Sequence, residues 1–536
     1  MNNLIIYLNS ERFFKHLVIF FILGYLVSTF LNLGVPPFNN EEPRRTLIAL
    51  EMLFSGNYVV TTLFGDVFYD HPPLWNIVLA QSAKLFGISS EFGYRLPSAL
   101  SFIITGIVIF FMGRKYVNKE FALISTFFYL VSADLYFFFS TTAEIDIFFS
   151  LFVLLATFSV FHFNEKNNLF LLYAFAYFFT TLAFFSKGVV SIVFLGGTLL
   201  AYFGYKREWK KLFSLYHLLF FVLFLGAVFG YFYIYHQRED AFAYIEGMWS
   251  LTEKKSILNS KNNAFLSHFF AFPLKLLGNL FPATLLLVFL FGKKTSSYLK
   301  ENPYVFFLLL AIVLNVIPYW ISTGSRDRYA YFFYPLIISI FVYIFLYKKS
   351  SAPWKRKLFF YLLSALTLIV AFACFVLPFV SYLNPVKGIS YFAPLIGVLC
   401  VLVFVAQIKT NVYKTRIILS LFTVVIAKLL FVSLAFPMKN SASTSSIFKA
   451  HAKTILEKTN KTPLYLYSKK GAFDPHKPGE FYVTGAYLEM YSGQTLKKTD
   501  SLFKNAYFIV EERELGNHDV LYTIDNKKNH LYLIKN

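Results

Sequence analysis

Charged side chains at the ends of apolar stretches are the candidates for chemistry in this chain. Glu41 and Asp70 lie in one segment between two apolar stretches, Asp146 begins a third stretch, and Lys187 ends a fourth. A charged side chain costs roughly 2.5 to 3.5 kcal/mol near the centre of a membrane helix, so charges at such positions need a pairing or functional reason. Carboxylates at a membrane surface can deprotonate a hydroxyl or hold a divalent cation.

A basic and phenolic set follows later in the sequence, at Arg326, Arg328 and Tyr329. Arg, Lys and Tyr side chains neutralise or donate to a phosphate. Together with the carboxylates, they predict phosphoryl-lipid chemistry at a lipid interface. The sequence has no glycine-rich phosphate loop, no nucleotide-sugar cradle and no Ser/His/Asp hydrolase motif, so a soluble nucleotide donor is not supported.

Structural explanations of the same residues stay open from the sequence alone. Asp146 and Lys187 can form an ion pair that has no catalytic role, and Glu41 can serve simply to cap a helix. Glu144 lies two residues before Asp146. Residues two apart do not share a helical face, so we expect at most one of these two carboxylates to point into the bundle.

The elements that position these residues are membrane helices. The chain of 536 residues is 57% hydrophobic and 21% aromatic, more than a globular core needs. We predict a polytopic α-helical membrane protein with about thirteen transmembrane helices. The predicted spans are 16–33, 94–113, 119–139, 144–163, 168–185, 188–204, 213–235, 272–292, 303–322, 329–347, 358–380, 390–408 and 416–436.

Every second connection between these spans is basic, as the positive-inside rule requires. The inner basic residues are Arg12, Lys15, Arg114, Lys115, Lys166, Lys206, Arg207, Lys210, Lys211, Lys293, Lys294, Lys348, Lys349, Lys355, Arg356, Lys357, Lys409, Lys414 and Arg416. Segments 34–93 and 236–271 and the tail from 437 then lie on the outer side. The net charge of +21 follows from this topology and from attraction to anionic membrane lipids, so nucleic-acid binding is not predicted.

The first outer segment, residues 34–93, carries two helix signals. Pro43 suits the first turn of a helix and Gly56 its end, with an apolar face between them. Pro72 precedes a second helix that ends at Gly87. We expect both helices to lie along the membrane surface, with their polar starts over the outer mouth of the bundle.

The change from apolar spans to a polar C-terminal tail divides the chain into two predicted domains. Residues 1–436 form the membrane domain, including the outer-loop helices, and residues 437–536 form a small soluble α/β domain. In the second, a helix is predicted over 445–458 and strands over 464–467, 506–510 and 531–534. The only cysteines, Cys374 and Cys400, lie within predicted spans, so a structural disulfide is not expected.

At these motifs the chain resembles the GT-C membrane glycosyltransferases, specifically the bacterial relatives of protein O-mannosyltransferases that include the lipid A aminoarabinose transferases. The motifs are Glu41-Glu42-Pro43-Arg44 with its spacing to Gly56, Tyr69-Asp70-His71-Pro72-Pro73, Ala143-Glu144-Ile145-Asp146, Ser186-Lys187-Gly188, and Arg328-Tyr329 leading to Tyr334-Pro335. The resemblance covers most of the chain. It implies a transmembrane bundle with surface helices in the first outer loop, a soluble C-terminal domain and a polyprenyl-phosphate sugar as donor.

The resemblance also implies roles for the matching positions. Glu41 falls where the family has its catalytic acidic residue, which is usually Asp. Asp70 and Asp146 match carboxylates similar to metal-site ligands, so a divalent metal ion is a candidate cofactor. The residues that match the donor-phosphate set are Lys187, Arg326, Arg328, Tyr329 and His71, the last standing where a Lys is common.

The expected function is transfer of a sugar from a polyprenyl-phosphate donor to an acceptor hydroxyl or phosphate on a lipid, glycan or protein. The expected place is the periplasmic side of a bacterial inner membrane. The alternative is a transporter or flippase of lipid-linked glycans, which needs charged or helix-breaking residues at mid-membrane in both halves of the chain. The sequence has no evident two-half repeat and places the charges at one face, which favours the enzyme. A scaffold without chemistry leaves the convergent carboxylates unexplained.

Overall fold

The fold is that of a computed structural model, which describes residues 2–253, 262–292, 295–349, 353–383, 386, 388–460, 462–469, 481–525 and 530–536. The predicted inner basic pair Lys293 and Lys294 lies outside the described residues. The α-helices are α1 (Asn2–Leu8), α2 (Glu11–Phe30), α3 (Glu42–Ser55), α4 (Leu74–Phe86), α5 (Glu91–Tyr116), α6 (Lys119–Leu130), α7 (Ala133–Phe137), α8 (Ile145–Glu165), α9 (Leu169–Lys187), α10 (Val190–Lys206), α11 (Leu215–His236), α12 (Ala241–Glu253), α13 (Asn262–Asn279), α14 (Thr295–Glu301), α15 (Pro303–Ile321), α16 (Phe333–Lys348), α17 (Pro353–Val376), α18 (Ile389–Lys409), α19 (Tyr413–Ala442), α20 (Thr444–Thr459) and α21 (Phe481–Ser492). The strands are β1 (Thr62–Leu63), β2 (Asp66–Val67), β3 (Leu464–Tyr467), β4 (Lys498–Thr499), β5 (Tyr507–Glu511), β6 (Val520–Asp525) and β7 (His530–Lys535).

The chain is a multi-pass membrane protein. Among the described residues, nine helices are long and apolar enough to cross a membrane, namely α2, α5, α8, α9, α11, α15, α17, α18 and α19. Two bent helix pairs and the shorter apolar helices α10 and α16 coincide with the remaining predicted spans. The predicted α-helical architecture is therefore confirmed. Its apolar core joins α5, α6, α8, α9, α10, α15 and α16.

Two of the spans bend, which the hydropathy pattern does not predict because apolarity carries no information on helix direction. Residues 119–130 and 133–141 meet at 52°, and residues 265–279 and 283–289 meet at 110°. The first bend lies at the outer mouth of the bundle. It changes the direction of the chain at α7, whose Asp134 and Phe137 line the cavity described below.

The outer loop contains the two predicted helices, α3 and α4. Gly56 ends α3 with φ 68°, a left-handed conformation that favours glycine. α3 does not lie exposed on a membrane surface, because its residues from Arg45 to Met52 are all buried. It packs against α4 on one side and α21 on the other, in a second apolar core.

The C-terminal α/β unit consists of α20, α21 and strands β3 to β7. Its sheet has the order β4-β3-β5-β7-β6, in which β3 runs parallel to β4 and β5, and β7 runs antiparallel to β5 and β6. The predicted helix and three predicted strands coincide with α20, β3, β5 and β7, while α21, β4 and β6 were not predicted. The predicted domain boundary at residues 436 and 437 falls within α19, which continues to Ala442.

Candidate active site

Glu41 lies at the start of α3, where it is the N-cap residue. Its Oε2 accepts a hydrogen bond from Arg44 Nη2 at 2.6 Å, and its Oε1 accepts one from Arg326 Nη1 at 3.1 Å. Arg328 Nη2 is 3.7 Å from the same Oε1. A quarter of the Glu41 side chain is exposed, at 25%, so the carboxylate is accessible from outside.

A buried ion pair beneath Glu41 fixes its position. Arg95 donates to both carboxylate oxygens of Glu42, at 2.7 Å and 3.0 Å. The carbonyl oxygens that accept from Arg95 are those of Leu33, Pro36 and Pro37. Glu42 also accepts the N–H groups of Asn39 at 3.1 Å and Ala143 at 2.9 Å. The pair therefore ties the segment before Glu41 to the start of α8, so Glu42 has a structural role.

Arg328 is the centre of the site. Its Nη1 donates to Glu144 Oε1 at 3.0 Å, its Nε lies 3.1 Å from Asp146 Oδ2, and its Nη2 faces Glu41. Burial lowers the pKa of Arg328, but Asp146, Glu144 and Glu41 together raise it above its ordinary value. The guanidinium therefore keeps its charge and joins three carboxylates from two elements.

Glu144 and Asp146 both point towards Arg328, so the expectation that only one of them faces the bundle is wrong. Glu144 is the N-cap of α8 and has extended backbone angles, φ −103° and ψ 125°. The helical spacing rule does not apply to a residue outside the helix. Burial raises the pKa of Glu144 to about 7, with Arg328 opposing the rise and the charges of Asp146 and Glu41 adding to it.

Lys187, at the end of α9, completes the network. Its Nζ donates to Asp146, so the ion pair considered from the sequence is present. The same Nζ lies 3.9 Å from the centroid of the Tyr329 ring, in a cation–π contact. Glu41, Arg328, Asp146, Lys187 and Tyr329 thus form an unbroken chain of contacts across segments far apart in the sequence.

Asp70 and His71 join this network from its other side. Asp70 Oδ2 lies 2.9 Å from Arg45 Nη1 and 3.7 Å from Arg44 Nη2, and His71 Nε2 lies 3.7 Å from Asp70 Oδ1. All the residues predicted for the site are therefore linked, with Arg326 at the exposed rim.

The two carboxylates predicted as metal ligands face cations from the protein itself. Asp70 faces Arg44 and Arg45, and Asp146 faces Lys187 and Arg328. Within the described ranges, no group of three or more His, Cys, Asp and Glu side chains is arranged to hold a metal ion. In this arrangement the two residues do not fit a divalent ion. The metal ion remains a prediction from the sequence, and the mechanism proposed below does not use it.

A cavity of about 320 Å³ opens beside the segment that precedes Glu41. Asn39 and Asn40, the two residues before Glu41, line one side of it, and Glu144 lines another. Asp134 of α7 and Lys439 of α19 face it from the far side. Neither residue stands in a sequence motif, and the bend before α7 that brings Asp134 here has no hydropathy signal.

Lys428 lies close to this cavity and was not singled out from the sequence. It is fully buried within α19 and donates to the Phe137 carbonyl at 3.2 Å. The aromatic rings around its Nζ belong to Tyr136, Phe137, Phe431 and Phe436. Its signal in the sequence is a single lysine inside the predicted span 416–436.

Parts of this sequence are similar to those of known proteins. The profile of the dolichyl-phosphate-mannose-protein mannosyltransferase family matches residues 70–232, a range that includes Asp70, Asp146 and Lys187. An uncharacterized protein of Aquifex aeolicus (strain VF5) is 33% identical over 107 residues, which are 20% of this chain and 24% of that protein. The chain thus matches about a quarter of the length of this curated relative.

Two solved structures share the fold. ArnT from Cupriavidus metallidurans in the apo state superposes with a TM-score of 0.68 at 16% identity, covering 97% of this chain and 98% of ArnT. The same protein bound to undecaprenyl phosphate gives a TM-score of 0.67 at 17% identity, covering 96% and 97%. The chain therefore has the ArnT fold over nearly its whole length and carries the mannosyltransferase pattern within residues 70–232, which confirms its resemblance to the GT-C membrane glycosyltransferases.

Proposed function

We propose that this chain is a glycosyltransferase that moves a sugar from a polyprenyl-phosphate donor to an acceptor hydroxyl or phosphate on a lipid, glycan or protein. The reaction takes place at the outer, periplasmic face of a bacterial inner membrane. The observation that carries the proposal is the unbroken network from Glu41 through Arg328 and Asp146 to Lys187 and Tyr329. It combines a carboxylate for the acceptor with cations for the phosphate.

The cations of the network receive the donor phosphate. Lys187 and Arg328 supply two positive charges at a buried position, where electrostatic stabilisation is stronger than in water. In the reaction the bond from the anomeric carbon to the phosphate oxygen breaks, and the polyprenyl phosphate leaves as a stable anion. No general acid is needed, because the departing phosphate monoester takes the bonding electron pair as a second negative charge, which is stable without a proton near neutral pH.

Glu41 acts on the acceptor. Burial raises the pKa of Glu41, but the charges of Arg44, Arg45 and Arg328 and the hydrogen bond from Arg326 lower it below its ordinary value. An ionised carboxylate of this kind accepts a hydrogen bond from a hydroxyl and orients its oxygen. The bond from that oxygen to the anomeric carbon forms as the phosphate departs, and the hydroxyl proton passes to Glu41 late in this step.

The cavity beside the segment that precedes Glu41 gives the acceptor its approach. A direct displacement requires the incoming oxygen opposite the leaving phosphate. Asn39, Asn40 and Glu144 border the cavity, whereas Lys187 and Tyr329 are absent from its lining. We therefore place the acceptor in this cavity and the donor phosphate outside it, at Lys187 and Tyr329.

The donor class and the location have separate support. ArnT from Cupriavidus metallidurans, which has this fold, has been solved with undecaprenyl phosphate, and this supports a polyprenyl phosphate as the carrier here. The alternation of basic connections supports an outer site. We assign the C-terminal α/β unit to the same periplasmic side and residues 1–436 to the membrane domain.

The test compares envelope lipids and glycans by mass spectrometry between a deletion strain and the same strain complemented with variants. We expect one sugar-sized mass difference to be lost on deletion, restored by the wild type and not restored by Glu41→Gln. Glu239→Gln is the matched control, since Glu239 is an exposed carboxylate on the outer side. Full restoration by Glu41→Gln would remove Glu41 from the mechanism.

A flippase is distinguished by assay in detergent micelles. No membrane separates two compartments there, so a covalently modified acceptor can come only from an enzyme. Lack of any such product from purified protein supplied with envelope extract, together with loss of the mass difference in the deletion strain, would favour the flippase.

A further inference from the structure

Two fully buried glutamates meet where α21 of the C-terminal α/β unit packs on α3. Glu51 is 1% exposed and Glu489 is 0% exposed. Within the described residues, Glu489 Oε2 is buried with no donor from another residue, and the two carboxyl groups lie close enough to interact directly. A hydrogen bond between two carboxyl groups requires a proton on one of them, because an ionised carboxylate only accepts.

The donors around this carboxyl pair are all neutral. Glu51 accepts the hydroxyl of Thr62 at 2.5 Å and the N–H groups of Phe64 at 2.5 Å and Gly65 at 3.2 Å. Glu489 accepts the N–H of Leu496 at 2.9 Å. Within the described residues, no lysine, arginine or histidine contributes an opposing charge to either carboxyl group.

The charged groups on the neighbouring elements are engaged elsewhere. On α5, burial and the charge of Glu489 raise the pKa of Tyr94, and Glu91 forms an ion pair with Lys449 of α20. On the other side, Asp66 of β2 pairs with Lys498 of β4 at 3.5 Å. None of these neighbours compensates a second negative charge at the carboxyl pair.

Two carboxylates in contact without a nearby cation do not ionise together. Burial raises the pKa of Glu51 above its ordinary value, and burial together with the charge of Glu51 raises that of Glu489 further. At neutral pH the docked pair therefore keeps at least one proton, while the same side chains in water would have released both.

The carboxyl pair belongs to a joint between α21 and the loop segment that carries Glu41. On one side, the Phe64 N–H binds Glu51 and the Phe64 carbonyl accepts the Lys498 N–H at 3.0 Å. On the other, the Tyr487 hydroxyl of α21 accepts the N–H of Phe38, three residues before Glu41, at 2.9 Å. Movement of α21 away from α3 would release both contacts.

We propose that Glu51 and Glu489 are positioning residues that share a proton, and that loss of this proton undocks α21 from α3 and displaces Glu41. The shared proton and the docking are independent of the proposed function. Only the consequence for sugar transfer rests on that function.

The direction of the pH effect follows from proton linkage. Docked carboxyls hold a proton that undocked carboxyls have released, so docking weakens as pH rises through the neutral range. Each pH unit changes the docking equilibrium by about tenfold for one linked proton. The docking equilibrium depends on pH only above the ordinary pKa of a glutamate, and this dependence ends once the docked pair has also lost its proton.

The test is hydrogen–deuterium exchange of the full chain in detergent micelles between pH 6 and pH 8, corrected for intrinsic exchange rates. The reporters are peptides containing the Phe64 and Leu496 amides. In the wild type we expect protection to fall by about tenfold per pH unit. In Glu489→Gln, whose amide donates to Glu51 without a titratable proton, we expect protection independent of pH. Glu457→Gln, at an exposed position on α20, is the control and should behave as wild type.

Infrared spectroscopy supplies a second measurement if Glu489→Gln folds poorly. The wild type at pH 6 should show the band of a protonated carboxyl group that is lost when Glu51 and Glu489 are both replaced by Gln and is retained in Glu457→Gln. Equal pH dependence of exchange in wild type and Glu489→Gln, or no difference in this band, would overturn the proposal. Neither readout uses sugar transfer, so this result is separate from the test of the proposed function.

Once transfer is measurable, its pH profile tests the positioning role. Activity of the wild type should fall above neutral pH with the loss of docking, and Glu489→Gln should extend the active range upwards. A merely structural role would lower activity equally at all pH values. That outcome would also contradict positioning by a shared proton.

Discussion

Arg328 connects the two halves of the proposed chemistry, because it faces Glu41, which acts on the acceptor, and is itself one of the two cations proposed to bind the donor phosphate. Its guanidinium reaches Glu41, Glu144 and Asp146 at once, in a planar arrangement that a lysine ammonium does not reproduce. Arg326 differs, since its side chain is 57% exposed and contacts Glu41 alone among these carboxylates. The two arginines therefore offer a matched comparison at one site.

Replacing Arg328 with Met should reduce transfer by about 10²-fold to 10³-fold, the effect of removing one preorganised charge-stabilising donor. It should also lower the free energy of unfolding by about 3 to 5 kcal/mol, because buried carboxylates lose their partner. Arg326→Met should change stability by about 0 to 1 kcal/mol. Transfer assays and thermal unfolding in micelles measure both, and equal effects of the two substitutions would contradict a central role for Arg328.

Glu144 gives the site a titration near neutral pH. Its pKa of about 7 means that it is neutral below that pH and ionised above it. The ionised form competes with a phosphate for Arg328, so donor affinity should decrease as pH rises through about 7. In Glu144→Gln this decrease should disappear. The measurement is the KM for the lipid donor between pH 5.5 and 8.5, and the same decrease in both proteins would exclude Glu144 as its source.

The residues proposed from the sequence lie together in the structure, and for some of them there is a physical reason why the sequence could single them out. Charges near membrane helices are costly, so Asp146 and Lys187 stand out against an apolar background, whereas Glu41 lies in a polar segment and was singled out by its motif. Glu144 was misjudged because the helix begins one residue after it, which depends on the local backbone. The partners of Asp70 were not predictable, since a carboxylate that faces arginines and one that faces a metal ion look alike in a sequence.

At the scale of elements, the outer loop is held by packing between α3 and α21 as well as by ion pairs. Gly485 of α21 lies so close to the loop between β1 and β2 that a Cβ there would be 2.7 Å from Cε1 of Phe64. The absence of a side chain allows this approach. Gly230 of α11 has no atom within 4 Å of such a Cβ and is a suitable comparison.

Gly485→Ala should lower the free energy of unfolding by about 1 to 3 kcal/mol, because the Phe64 ring is enclosed and must shift. Gly230→Ala should instead raise it by about 0.5 to 1 kcal/mol, since alanine favours a helix. Thermal unfolding of the full chain in micelles compares the two. A stabilising effect of Gly485→Ala would show that α21 does not press on the loop at this point.

Helices and strands were predictable where a single local sequence feature determines their presence or their ends. Membrane helices follow from apolar length, and α3 and α4 follow from proline and glycine at their ends. α21 carries aromatic residues, Val483 and Thr484, and an internal glycine, all of which favour strand or turn locally. Its helix is fixed by packing against α3 and α20, which a local pattern does not contain.

At the scale of the whole molecule, the proposed function requires that the site lie on the outer side of the membrane, where the envelope acceptors are. The C-terminal α/β unit is joined to α3 through Glu489 and to Phe38 through Tyr487, so it lies on the same side of the membrane as Glu41. The basic residues after α10, including Lys210, belong to the opposite side if the positive-inside rule holds. Both sides have exposed lysines suited to labelling.

Single cysteines at these positions test the orientation directly. In a background with Cys374→Ala and Cys400→Ala, both buried in the wild type, we would introduce Lys504→Cys in the C-terminal α/β unit or Lys210→Cys between α10 and α11. A membrane-impermeant maleimide added to spheroplasts should label Lys504→Cys, and should label Lys210→Cys only after detergent is added. Because the contacts at Phe38 and Glu51 fix the unit to the outer loop, labelling of Lys504→Cys also locates Glu41. The reverse pattern would place the carboxylate network on the cytoplasmic side and remove the periplasmic location from the proposed function.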